Sequence, residues 1–79
     1  MIFPDGFGVP PKRPSRREIE IADLVSHGLS GKEIAYKLGI SERAVSTHRM
    51  RLLEKFEVHS TGHLMRLMFE QGYLSMDKA

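Results

Sequence analysis

Four histidines and ten carboxylates among 79 residues are the raw material of a catalytic or metal centre, but their spacing does not build one. No serine, histidine and acid form a nucleophilic cluster, no glycine-rich loop opens a helix to cradle phosphate, and no acidic pair stands out. His59 and His63 are four apart, the spacing of two ligands on one helix face, yet Ser60 between them has the character of a helix-start residue. That leaves His59 outside the helix, with no further ligands in reach. Cysteine is absent, which removes disulfides, thiolate zinc sites and a thiol nucleophile together, and fits a reducing cytoplasm. The expectation is a protein that is not an enzyme and uses no metal and no cofactor.

The cations are the other chemistry-bearing group. Lys12, Arg13, Arg16 and Arg17 cluster in one stretch, and Arg43, Arg49, Arg51 and Lys55 in another, although the net charge is only +2. Two basic zones can meet one polyanion. No apolar run approaches the length of a membrane span, and the first residues lack the basic-then-apolar order of a signal peptide, so a cytoplasmic protein without a membrane partner is expected.

These side chains need elements to hold them. Residues 1–14 contain all four prolines and read as an irregular arm, and residues 75–79 read as a tail. Between them, residues 15–74 form one domain of four helical segments, each opened by a serine: Ser15, Ser30, Ser41 and Ser60. A serine at that position accepts a hydrogen bond from an otherwise unpaired amide. Ser15 with Glu18 and Ser30 with Glu33 add the reciprocal capping-box spacing.

Helix one is predicted from Arg16 to Ser26, burying Ile21, Leu24 and Val25 and stopping at Gly28. Helix two runs from Gly31 to Leu38, turns Ile34, Ala35 and Leu38 inward, and ends at Gly39. Helix three covers about 42–56 and buries Val45, Leu52 and Phe56, with Leu53 beside them. Helix four runs from Thr61 to Gln71 and closes at Gly72. No alternating pattern predicts a strand, so the fold class is all-α, a four-helix bundle.

Helix two spans barely two turns, too short to persist in water unless packed against neighbours. A short helix joined to the next by a tight turn is the helix-turn-helix, and the sequence meets its steric demands. Ala35 is small where the helices cross, Gly39 supplies the turn four residues later, and Val45 anchors helix three ten residues later. A generic helical hairpin is the alternative, and the agreement of capping and segment length weighs against it.

The run Ser30-Gly31-Lys32-Glu33-Ile34-Ala35-Tyr36-Lys37-Leu38-Gly39-Ile40-Ser41 resembles the core of the LuxR-type helix-turn-helix family of bacterial transcription regulators. Ala44-Val45-Ser46-Thr47-His48 resembles its recognition helix, and Lys55-Phe56-Glu57-Val58-His59-Ser60 the join to the fourth helix. Arg17, Glu18, Ile21, Leu24 and Gly28 resemble the first helix. The resemblance covers about residues 15–74. Ala44 replaces the family's usual threonine, Phe56 its usual leucine, and Thr61-Gly62 stands where arginine commonly follows the serine. The resemblance implies sequence-specific binding to double-stranded DNA, with helix three in the major groove.

At 100 degrees per residue, pointing Val45 and Leu52 inward puts Arg43, Thr47 and Met50 outward, flanked by Ser46 and Arg51. Arginine reads guanine edges, the hydroxyls bond bases or phosphates, and Met50 or the Thr47 methyl can touch a thymine methyl. Arg43, Ser46, Thr47 and Met50 are therefore the expected base-reading residues. The resemblance independently favours Ser46, Thr47 and Met50, and implies that Lys32 and His48 contact the phosphate backbone. Ser41, Arg49, Arg51 and Lys55 are added as further phosphate contacts. Competing roles are a solvated face for Arg43 and Arg51, pairing with Glu42 or Glu54, a semi-buried histidine bonded to a carbonyl for His48, and stem packing for Arg49. The arm bearing Lys12 and Arg13 either reaches DNA or merely solubilises.

Leu64, Met65, Leu67 and Met68 make a broad apolar stripe on helix four. In the family this helix is the usual dimer contact, so Leu64, Met65 and Met68 are expected at a homodimer interface. The competing reading places them in the core. RNA polymerase or another regulator is a further expected partner. The rival function is a module that binds and antagonises another regulator through helix four. The opening Met1 and short arm favour a stand-alone regulator over a fragment of a longer one.

Overall fold

The computed structural model describes residues 13–75; the rest of the expected arm, with Lys12, and most of the expected tail lie outside the described residues. Four helices follow one another: α1 (Arg16–Ser26), α2 (Gly31–Leu38), α3 (Glu42–Phe56) and α4 (Thr61–Glu70), with no strand among the described residues. The all-α expectation holds. Helix α4 ends one residue before the predicted Gln71, which instead caps it.

Each start is set by the expected serine. Ser15 Oγ accepts from the Glu18 N–H at 3.1 Å, while Glu18 Oε1 accepts from the Ser15 N–H at 2.8 Å. Ser30 and Glu33 repeat the arrangement at 3.1 and 2.7 Å. Ser41 and Ser60 accept from the amides of Ala44 and His63 at 3.0 and 3.2 Å.

The four ends share one device. The amides of Leu29, Ile40, Val58 and Tyr73 each donate to the carbonyl five residues back, on Leu24, Ala35, Leu53 and Met68. This closure requires a left-handed residue just before the donor and is usually sealed by an apolar contact. Gly28, Gly39 and Gly72 supply three of the left-handed residues, and Glu57, at φ 57°, supplies the fourth. All four donors are apolar and pack on the core, Val58 deeply.

Helix α3 touches each of the other three and divides the interior in two. Ile21, Ile34, Ala35 and Val45 form the cluster inside the helix-turn-helix, with Leu24, Val25, Leu29, Leu38 and Ile40 around it. Ala22, Leu52, Val58, Leu64, Met68 and Leu74 form the second cluster, where α4 and the chain after it close the bundle. Leu24, Val25, Leu38 and Phe56, expected in the core, are only half-buried, because each lies on the rim of its cluster. Phe56 meets the ring of Tyr73 edge-on, with centroids 6.1 Å apart.

No helix among the described residues is long and apolar enough to cross a membrane.

Candidate nucleic-acid interface

Two ties fix the pose of α3. Its first half is anchored where Val45 packs beneath Ile34 and Ala35 of α2. Its second half is anchored where Leu52, fully buried, meets Ala22 of α1 and Leu64 and Met68 of α4. With that side of the helix committed to the core, the other is free. Arg43, Ser46, Thr47, Met50 and Arg51 are all exposed, and Met50 keeps 61% of its surface in water.

Among the described residues neither Arg43 nor Arg51 is ion-paired, so the solvated pairing with Glu42 or Glu54 does not form. The Thr47 hydroxyl donates to the Arg43 carbonyl one turn back at 3.0 Å. That bond turns the Thr47 oxygen along the helix, leaving its lone pairs and its methyl for any partner.

Around this face the sites expected to meet phosphates are differently placed. Lys32 is exposed in the first turn of α2, where its charge adds to the unpaired amides of the helix start. Ser41 is the N-cap of α3, its oxygen already bonded, its hydroxyl proton free to be donated. His48 is half-buried, and its Nδ1 is enclosed with no hydrogen-bond partner. A neutral ring therefore carries its proton on Nε2, since the opposite tautomer would strand a buried N–H. The competing bond from His48 to a backbone carbonyl is not formed among the described residues.

Arg49 and Lys55 both turn toward neighbouring elements, and of the two Lys55 has a carboxylate partner among the described residues. Arg49 leans on α4, its Nη2 3.5 Å from Thr61 Oγ1, a long contact that places the stem against the start of that helix. Lys55 Nζ donates to Glu18 Oε1 at 2.8 Å and to the Arg13 carbonyl at 3.1 Å. Its charge is matched by a carboxylate 3% exposed, a placement unlike that of the outward-facing Arg43 and Arg51. Burial alone would raise the pKa of Glu18. The hydrogen bonds from Lys55 and the Ser15 N–H, and the charges of Lys55 and His48, outweigh it and hold the carboxyl below its ordinary value.

On helix four, Leu64 is 2% exposed and Met68 not at all, so both pack in the core of the single chain. Met65 and Leu67 are half-buried against the same cluster. The stripe is broad because this small chain has few other side chains to close its interior.

Two residues carry more than their local sequence shows. Glu18 closes a capping box, but its second partner, Lys55, lies 37 residues away. Tyr36 stands 91% exposed on the outside of α2, one turn beyond Lys32; its offset of two from Ile34 was the available signal.

A short helix, a glycine turn and a longer helix with one exposed, cationic face define a helix-turn-helix domain. Residues 15–68 match the family of bacterial regulatory proteins, luxR family, and the chain belongs to that family. It is 50% identical over 54 residues to the transcriptional regulatory protein TdiR of Thauera aromatica, covering 68% of this chain and 24% of TdiR. It is 39% identical over 59 residues to the transcriptional regulatory protein FixJ of Rhizobium meliloti (strain 1021), covering 75% of this chain and 29% of FixJ. The crystal structure of the response regulator ChrA of a heme-sensing two-component system superposes with a TM-score of 0.75 at 33% identity, over 85% of this chain and 33% of ChrA. The chain thus spans about a quarter to a third of these relatives. TdiR and FixJ are named as transcriptional regulatory proteins.

Proposed function

We propose that residues 15–74 bind double-stranded DNA sequence-specifically, with α3 in the major groove, and thereby regulate transcription. The observation that carries this reading is the exposed face of α3, on which two unpaired guanidinium groups, two hydroxyls and a water-exposed methionine lie along one stripe. A helix about 10–12 Å across fits a groove about 12 Å wide. Membership of the luxR family and likeness to the transcriptional regulatory proteins TdiR and FixJ support the same reading.

In this reading Arg43, Ser46, Thr47 and Met50 read base edges, while Lys32, Ser41, His48, Arg49 and Arg51 grip the backbone, and Lys55, expected with them, donates to Glu18. Support for His48 comes from Nε2, which carries the proton in the neutral ring. Two copies sit on a two-fold-symmetric site, one helical turn apart. Of the three residues of α4 expected to meet the second copy, Leu64, Met65 and Met68, the half-buried Met65 is the one with surface outside the core.

The test is a comparison of variants by selection from a random duplex pool. Thr47→Ala and Met50→Ala are expected to change which sequence is preferred, whereas Lys32→Ala weakens all sequences alike. Identical preferences in wild type and in both former variants would remove the assignment of the reading face.

A further inference from the structure

Lys55 lies on the proposed recognition helix, yet its hydrogen bonds run inward. One ammonium joins the Glu18 carboxylate and the Arg13 carbonyl, spanning 37 and 42 residues of sequence, and keeps only 24% of its side chain exposed. The same Glu18 oxygen accepts the Ser15 amide that closes the first turn of α1. A single buried carboxylate therefore finishes the start of one helix and holds the last turn of another.

We propose that Glu18 and Lys55 are a positioning pair that sets the roll of α3 against α1, and that Lys55 adds nothing to the count of neutralised phosphates. The functional part rests on the DNA reading above. Leu52 holds the second half of α3 in depth but not in rotation, since a packed aliphatic chain tolerates small slides better than a directional charged hydrogen bond does. The pair is the directional tie. A roll of roughly 20° would carry a side-chain tip about 5–6 Å from the helix axis through about 2 Å, more than a base-edge hydrogen bond tolerates. Loss of the pair should therefore blur discrimination between sequences before it weakens attraction to the backbone.

The experiment compares wild type, Lys55→Met, Lys55→Arg and Glu18→Gln, with Lys32→Ala as a phosphate-contact control. Each protein, shown to be folded by circular dichroism at the assay temperature, is titrated with a duplex recovered by selection with wild type and with a scrambled duplex of equal length. Both titrations are repeated across a salt series. Lys55→Met should lower the ratio of selected to scrambled affinity about tenfold or more and leave the salt slope at the wild-type value, with Lys55→Arg restoring the ratio. Lys32→Ala should reduce the slope by about 0.9. A slope reduced by about 0.9 in Lys55→Met with the ratio kept would make Lys55 a phosphate ligand and overturn the proposal. A folded variant with ratio and slope both unchanged would overturn it too.

Should Lys55→Met not fold, Glu18→Gln keeps the acceptor for Ser15 while removing the charge, and is read by the same two quantities. Should wild type discriminate between no duplexes at all, the functional reading fails separately, and amide hydrogen exchange decides the pair. Loss of protection confined to residues 48–56 of α3 in the mildest folded variant supports it, and uniform loss over all four helices overturns it.

Discussion

Replacing Met68 by alanine removes three heavy atoms from a side chain with no exposed surface, in the cluster where α4 meets Ala22 and Leu52. At about 0.8 kcal/mol for each buried methylene-sized group, the lost transfer free energy is about 2.4 kcal/mol. The cavity left behind adds to this, because neighbours relax only partly, for a total of about 2–5 kcal/mol. A chain of 79 residues is stable by about 4–12 kcal/mol, so the substitution consumes between a sixth and all of it. Urea melts followed by circular dichroism should show a lower midpoint at an unchanged slope, and the thermal midpoint should fall by about 10–30 °C. Met65→Ala, half-buried at the rim, should cost about 1 kcal/mol and act mainly on self-association measured by sedimentation. If Met68→Ala instead kept its stability to within about 0.5 kcal/mol while self-association fell, Met68 would belong to an interface and the account of this cluster would be wrong.

Gly62 lies in the first turn of α4 with open space around a Cβ, so Gly62→Ala should stabilise by about 0.5–1 kcal/mol in the same melts. Destabilisation would show that the open space is not there. Gly39 turns the chain between α2 and α3 at φ 71°, and Gly39→Ala should cost about 1 kcal/mol or more for the left-handed Cβ; a neutral result would contradict that turn. Glu18, held below its ordinary pKa, favours the folded state while ionised, so its contribution is complete above the unfolded value of about 4.3 and is lost as pH falls through the folded value. The stability gap between wild type and Glu18→Gln should therefore be widest near neutrality and close with acid, and a gap that widened with acid would reverse the sign of the argument.

Local chemistry was legible because short-range rules govern it. Four serines gave four helix starts, and three glycines gave three of the four helix ends, since capping bonds reach only three to five residues. The fourth end was not legible: Glu57 has a side chain that disfavours φ 57°, and the apolar seal from Val58 overrides that preference. The outward stripe of α3 followed from 3.6-residue periodicity. Residue type alone does not give position: the buried partner of Lys55 is remote in sequence, and the periodicity of Leu64 and Met68 shows which face is apolar without showing what covers it.

The most direct test of the DNA reading is to incubate the folded chain with fragmented genomic DNA and excess nonspecific competitor, recover what is bound, and measure its affinity at two salt concentrations. Enrichment of a short two-fold-symmetric sequence, with affinity falling steeply as salt rises, is the predicted result. Folded protein that enriches no sequence would contradict it.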